Sequence, residues 1–93
     1  MNVQQIKQKA IPLLKEAGVT RSSLFGSYAR GDFTEKSDID LLVEFPRGKS
    51  LLDLIGLSQD LEEVFGKKVD VHTYKSVSPY LKEYIEKDQI QIL

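Results

Sequence analysis

The chain has 93 residues, of which 41% are hydrophobic, a formal net charge of −1 and no cysteine. Its length predicts a single domain over residues 1–93, and its balanced charge leaves no excess of Lys and Arg for phosphate contacts, which argues against direct binding of nucleic acid. The lack of cysteine excludes disulfides and thiolate metal sites and favours a cytoplasmic location.

The first predicted element is an amphipathic helix. Apolar residues recur at helical spacing between Val3 and Ala17, with Gln and Lys between them. Gly18 is suited to end this helix, because glycine accepts a left-handed conformation. The interspersed polar residues distinguish the segment from the unbroken apolar stretch of a signal peptide or membrane span. We therefore expect an unprocessed protein that does not enter a membrane.

A strand, a tight turn and a short helix are predicted next. The strand covers Val19 to Phe25, Gly26-Ser27 breaks the extended run, and Tyr28-Ala29-Arg30 forms one helical turn that ends near Gly31. A glycine at such a turn lets backbone N–H groups approach a phosphate, and Ser27 adds a hydroxyl donor. Taken alone, Ser27 is better explained as a helix cap.

A pair of aspartates follows in the segment from Asp38 to Phe45, which is predicted to be a strand. Its apolar face carries Ile39, Leu41, Val43 and Phe45. Asp38 and Asp40 then share the other face, about 7 Å apart along the backbone, so both can bind one hard cation such as Mg²⁺. A divalent ion would also remove the repulsion between their charges. Because Asp is depleted in strands, metal binding is favoured over the alternative of an exposed polar edge.

A second long helix and a third strand are predicted after the turn at residues 46–49. Ser50 and Asp53 have the spacing of a capping box, and the helix that they begin ends at Gly66. Its apolar positions are Leu51, Leu54, Ile55, Leu61, Val64 and Phe65. In the strand predicted over residues 67–73, Val69 and Val71 point inward. Asp70 and His72 lie on the opposite face.

The C-terminal segment predicts one more helix and a short strand. Ser78-Pro79 is typical of a helix start, and the apolar stripe of this helix consists of Leu81, Tyr84 and Ile85. Ile90 and Ile92 indicate the final strand. Helices alternate with strands along the whole chain, so the sequence predicts an α/β fold in which a mixed β-sheet packs with helices.

Two motifs resemble the nucleotidyltransferase superfamily that includes DNA polymerase β, and most closely its small MNT members. They are Gly26-Ser27-Tyr28-Ala29-Arg30-Gly31 and Ser37-Asp38-Ile39-Asp40-Leu41-Leu42-Val43. The resemblance implies a two-layer nucleotidyltransferase fold and a nucleoside triphosphate, expected to be ATP, bound at Gly26 and Ser27. It also implies that Asp38 and Asp40 hold catalytic Mg²⁺, expected as two ions.

Four further residues have more than one interpretation. By its spacing, Asp70 is equally well explained as an ion-pair partner of a neighbouring lysine, whereas the resemblance makes it the third metal-binding carboxylate and a base for the attacking hydroxyl. Arg30 could contact phosphate, or serve the helix dipole or a salt bridge. His72 is left outside the catalytic set because a single histidine is more often structural. Tyr28 could line the nucleotide pocket.

The resemblance implies Mg²⁺-dependent transfer of AMP from ATP to a hydroxyl. Small MNT proteins are similar to the antitoxin half of two-gene modules whose toxin is a HEPN ribonuclease, which implies a hydroxyl of that partner as acceptor. A non-catalytic module that neutralises its partner by occlusion is one alternative, and transfer to a small molecule is another. A phosphatase with Asp38 as nucleophile is disfavoured, because such enzymes need a larger α/β core and carry the Asp-x-Asp motif after the first strand.

Overall fold

The computed structural model describes residues 1–93 and consists of four helices and four strands. The helices are α1 (Val3–Glu16), α2 (Ser27–Arg30), α3 (Leu51–Phe65) and α4 (Pro79–Asp88). The strands are β1 (Arg21–Phe25), β2 (Ile39–Glu44), β3 (Val69–Thr73) and β4 (Ile90–Gln91), and a 3₁₀ turn covers Tyr74–Ser76. The predicted α/β class is confirmed. No helix has both the length and the apolarity needed to cross a membrane.

The four strands form one mixed sheet in the order β3-β2-β1-β4. β1 is antiparallel to both β2 and β4, whereas β2 and β3 are parallel. A parallel pair needs a long crossover connection, and α3 supplies it. The mixed sheet expected from the sequence is therefore present, with β3 at one edge and β2 in the centre.

One face of the sheet forms the hydrophobic core with α1 and α3. Alternate positions of the strands supply Leu24, Ile39, Leu41, Val43 and Val69. The two helices supply Ile6, Ala10 and Leu14 from α1 and Leu57, Leu61 and Phe65 from α3. Three of the apolar positions named for α3, Leu51, Ile55 and Val64, are 69%, 44% and 43% exposed. These three residues flank the inward stripe instead of lying on it.

The other face of the sheet is more polar and is only partly covered. Leu42 and Ser23 are buried there, and the Ser23 hydroxyl lies 2.7 Å from the Tyr74 hydroxyl. A cavity of about 520 Å³ lies between this face and α4. The predicted apolar stripe of α4 does not pack inward, since no residue of α4 is buried and Tyr84 is 71% exposed.

Candidate active site

The turn between β1 and α2 has a backbone conformation that strongly favours glycine. Gly26 has φ 74° and ψ −153°, and its carbonyl oxygen accepts hydrogen bonds from the N–H groups of Ala29 and Arg30, both at 3.1 Å. A Cβ atom at Gly26 would overlap the Asp40 Oδ2 atom. The glycine turn and the Asp40 carboxylate are therefore in direct contact, although 14 positions separate them in sequence.

Two of the three predicted carboxylates lie side by side on the more polar face of the sheet. Asp40 on β2 is the register partner of Asp70 on β3, and its partner on the opposite side is Phe25. Asp38 lies just before β2 instead of within it, and it is exposed. The strand was predicted to begin at Asp38, but the paired ladder begins at Ile39, whose N–H group donates to the Lys68 carbonyl at 3.1 Å.

The electrostatic environment of Asp40 is unfavourable for its charged form. Burial, followed by the negative charges of Asp70 and Asp38, raises the pKa of Asp40 from 3.8 to about 6. The positive charges of His72 and Arg30 act in the opposite direction. The carboxyl pair predicted from the sequence is thus electrostatically coupled, and a cation at this point would offset the repulsion.

The remaining candidates have specific partners. Arg30 Nε lies 3.2 Å from Asp32 Oδ2, as the salt-bridge interpretation predicted, and its charge still reaches Asp40. Lys68 Nζ lies 3.7 Å from Asp70 Oδ1, an ion pair in which the lysine is 64% exposed. Such an exposed pair contributes little to stability, about 1 kcal/mol at most, and it leaves Asp70 accessible.

Tyr28 lies in the core, and the pocket at its edge, which Phe33 and Lys67 also line, includes none of the predicted nucleotide-binding or metal-binding residues. Its side chain is buried, and its ring stacks on Phe33 with centroids 4.5 Å apart. Its hydroxyl lies 2.6 Å from the ammonium group of Lys67. Lys67 could not be identified from the sequence, because nothing in the Lys67-Lys68 doublet distinguishes a partly buried ammonium from an exposed one.

The donor set suits a hard cation, although no three acidic or imidazole groups converge tightly enough to enclose an ion in this side-chain arrangement. Asp38, Asp40 and Asp70 offer only carboxylate oxygens, the ligands that Mg²⁺ prefers in proteins. The raised pKa of Asp40 reflects like charges that a divalent ion would neutralise. The donor chemistry of these three residues therefore fits Mg²⁺.

Sequence comparison assigns nearly the whole chain to one family. Residues 5–92 match the family model described as nucleotidyltransferase domain. A Methanocaldococcus jannaschii protein named as a candidate protein adenylyltransferase is 56% identical over 93 residues, which cover 100% of both chains. The protein adenylyltransferase MntA of Thermococcus cleftensis is 34% identical over 80 residues, which cover 86% of this chain and 81% of MntA.

Several solved structures share the fold. A minimal nucleotidyltransferase has a TM-score of 0.82 and 34% identity, covering 97% of this chain and 95% of its own. A toxin–antitoxin crystal structure with AMP-PNP has a TM-score of 0.82 and 27% identity, and the match covers 94% of this chain and 72% of that chain. A chain from the complex of an MNT antitoxin with a tri-AMPylated Shewanella oneidensis HEPN toxin has a TM-score of 0.76 and 25% identity. The match covers 97% of this chain and 71% of that chain.

Proposed function

The chain belongs to the nucleotidyltransferase domain family, and on this premise we propose that it transfers AMP from ATP to a hydroxyl of a partner protein in the presence of Mg²⁺. The partner that we propose is a HEPN-type toxin, which the chain would neutralise as its antitoxin in the cytoplasm. The single domain over residues 1–93 would supply the nucleotide and metal sites, and the partner would supply the acceptor.

The observation that carries this proposal is the contact between the Gly26 turn and Asp40. Gly26 leaves no space for a side chain between the turn and the carboxylate, so a phosphate bound at Ser27 would lie beside the Asp40 and Asp70 pair. Nucleotidyl transfer needs this arrangement, because the triphosphate and the metal-binding carboxylates must act on the same phosphorus atom.

Each residue of the site has a chemical role in the proposal. The Ser27 hydroxyl and the N–H groups of its turn would donate hydrogen bonds to phosphate oxygens, with Arg30 as an added positive charge. Asp38, Asp40 and Asp70 would hold Mg²⁺. Bound magnesium would stabilise the negative charge that develops on the phosphate oxygens.

The proposed reaction is an in-line displacement at the α-phosphorus of ATP. A bond forms between the acceptor oxygen and this phosphorus, the bond to the bridging oxygen of the β-phosphate breaks, and pyrophosphate leaves. Asp70 would accept the proton of the acceptor hydroxyl, since its side chain is one-third exposed and its ion pair with Lys68 is loose.

Support for a protein acceptor comes from the relatives. MntA of Thermococcus cleftensis is named a protein adenylyltransferase, and the Shewanella oneidensis toxin in complex with its MNT antitoxin carries AMP groups. An AMP group adds bulk and negative charge, so near an RNA-cleaving site it would block the substrate and repel its phosphates. Transfer to a partner hydroxyl would therefore be sufficient to silence a ribonuclease.

Intact mass spectrometry of a co-expressed HEPN-type partner tests the proposal. We expect the partner to gain the mass of one or more AMP groups with the wild-type chain, and no such mass with the variant that carries both Asp38→Asn and Asp40→Asn. Removing divalent metal with a chelator should have the same effect as the double variant, and pyrophosphate should be the released product. A stable complex with an unmodified partner would instead indicate neutralisation by occlusion.

A further inference from the structure

The ammonium group of Lys67 contacts two separate segments of the candidate active site. It donates to the Tyr28 hydroxyl at 2.6 Å, the Ser37 carbonyl at 3.0 Å and the Glu35 carbonyl at 3.2 Å. It also lies 5.1 Å from the centre of the Tyr28 ring. A lysine has three N–H donors, and here each donor has an acceptor. Lys67 is therefore fully satisfied in one defined position.

The acceptors of Lys67 belong to the segments that carry the site. Tyr28 follows Ser27 directly in α2, and the Ser37 carbonyl belongs to the peptide group that precedes Asp38. Lys67 itself lies three positions before Asp70, just ahead of β3. One side chain thus connects the phosphate-binding turn, the approach to Asp38 and the strand that carries Asp70.

Asp38 has particular need of such a connection. Asp40 and Asp70 are fixed by the paired ladder of β2 and β3, whereas Asp38 lies outside that ladder and is exposed. The loop before it is stabilised by short-range bonds, from the Ser37 N–H to the Thr34 carbonyl at 3.0 Å and from the Thr34 N–H to the Ser37 hydroxyl at 2.8 Å. These bonds shape the loop without attaching it to the sheet. The Lys67 ammonium provides such an attachment.

The neighbouring lysine shows that this arrangement is specific to one position. Lys68 is 64% exposed and reaches only Asp70, at 3.7 Å. Lys67 points the other way, towards an aromatic ring that is fixed by burial and by its stack on Phe33. Bonds from an ammonium to uncharged acceptors in a partly buried site are stronger than neutral hydrogen bonds, so they can hold a loop in register.

We propose that Lys67 is a positioning residue, whose ammonium holds the Asp38 loop against α2 and so sets the position of Asp38 relative to the phosphate-binding turn and to the Asp40 and Asp70 pair. This inference rests on the proposed function for its consequence in catalysis, but the attachment itself is a property of the free chain. Lys67 contacts neither the nucleotide nor the metal in this proposal, and it acts through Tyr28 and Ser37.

Lys67→Met in the full chain is the central variant, since it keeps the apolar stem and removes the charge and all three donors. Without metal or nucleotide, we expect amide hydrogen exchange at residues 35–39 to accelerate about tenfold or more, because opening of this loop no longer breaks the two hydrogen bonds from Lys67 to the Glu35 and Ser37 carbonyls. Exchange in the core strands should be unchanged. Lys9→Met, which removes an exposed lysine of α1, is the matched control and should leave exchange at both places unchanged.

The consequence for the site is measured by Mg²⁺ titration of ATP binding and by steady-state kinetics of AMP transfer. Lys67→Met should require several times more Mg²⁺ for half-maximal ATP binding. Its kcat should fall about 10-fold to 100-fold, with a much smaller change in KM for ATP, because a displaced Asp38 misaligns bound reactants. Lys67→Arg keeps the charge and N–H donors and should recover part of both losses. A lysine with only a structural role would lower the melting temperature without this split between kcat and KM.

Tyr28→Phe provides a second test in case the Lys67→Met variant does not fold, because it keeps the ring stack on Phe33 and removes one acceptor of Lys67. It should accelerate exchange at residues 35–39 in the same direction by a smaller factor. The inference would be overturned if a folded Lys67→Met variant had the same amide exchange rates at residues 35–39 as the wild type, or the same Mg²⁺ requirement for ATP binding. These outcomes are separate from the fate of the proposed function, which fails if the Asp38→Asn, Asp40→Asn variant still transfers AMP.

Discussion

The two faces of the central sheet differ in composition, packing and electrostatics. The face towards α1 and α3 is apolar and close-packed, with Leu24, Leu41 and Val43 fully buried. The opposite face carries Asp40, Asp70 and His72, and a cavity of about 520 Å³ separates part of it from α4. Both faces are formed by the same strands, because successive residues of a strand point to opposite sides.

This difference separates stability from chemistry within single strands. Burial of apolar side chains on the core face stabilises the fold, whereas clustering of carboxylates on the other face costs stability in the absence of a cation. Asp40 and Leu41 are adjacent in β2, yet their substitution should have opposite consequences. Substitutions on the two faces test this separation.

The largest expected effect is on activity. The Asp38→Asn, Asp40→Asn double variant removes two of the three proposed metal ligands and should lower AMP transfer by about 1,000-fold or more, equivalent to at least about 4 kcal/mol in the barrier. Its melting temperature without metal should be equal to that of the wild type or higher, because like charges are removed. Transfer to the co-expressed partner and thermal denaturation are the two measurements. Full activity in the folded double variant would refute the assignment of this face as the active site.

The converse substitution is on the core face. Leu41→Ala removes a fully buried side chain and should destabilise the chain by about 2–5 kcal/mol, from lost transfer energy and the cavity left behind. Because Leu41 points away from the carboxylates, the transfer rate for each folded molecule should change little at low temperature. Urea denaturation together with single-turnover rates checks both parts. A large loss of rate in fully folded protein would show that the two faces are not separable.

Much of this arrangement could be predicted from the sequence. The alternation of Ile39, Leu41 and Val43 with Asp40 placed apolar and polar residues on the correct faces, since a strand has a period of two. Gly26-Ser27 was expected at a strand-to-helix turn, and the turn is there. The capping box at Ser50 is also present, with the Ser50 N–H donating to Asp53 at 2.7 Å. Short-range patterns were sufficient for each of these features.

Features that depend on tertiary packing could not be predicted in the same way. Leu81 and Tyr84 have helical spacing, but spacing does not reveal whether a neighbour covers that face, and α4 leaves both exposed. The contact between Gly26 and Asp40 and the three acceptors of Lys67 join residues far apart in sequence. The roles of Ser27, Arg30 and the three aspartates in binding and catalysis stay predictions.

A smaller effect is expected at the phosphate-binding turn. Ser27→Ala should weaken ATP binding in the presence of Mg²⁺ by about 1–3 kcal/mol, the range for a hydrogen bond to a charged group. The N-cap of α2 is Gly26 and Ser27 is the first residue of the helix, so Ser27 is not the helix cap and its loss should leave stability nearly unchanged. Isothermal titration calorimetry gives the affinity, and Ser76→Ala in the 3₁₀ turn, which removes an exposed hydroxyl outside the site, is the control. Unchanged ATP affinity in Ser27→Ala would show that backbone N–H groups suffice for phosphate binding.

The smallest expected effect is the pH dependence of stability that Asp40 contributes without metal. The pKa of Asp40 is about 6 in the folded chain against an ordinary value of 3.8, so the folded state keeps this proton to higher pH than the unfolded state. The contribution is therefore fully present below about pH 4 and is lost as the pH rises through about 6. Because solvent reaches much of the side chain, we expect a loss of only about 1 kcal/mol.

The measurement is the free energy of unfolding from pH 4 to 7, taken as the difference between wild type and Asp40→Asn, with the exposed Asp60→Asn as control. The difference should grow in favour of Asp40→Asn with rising pH, and added Mg²⁺ should reduce it by stabilising the wild type. A difference that stays constant across this range would mean that neither burial nor the charges of Asp70 and Asp38 raise the pKa of Asp40 appreciably, and the electrostatic contrast between the two faces would then disappear.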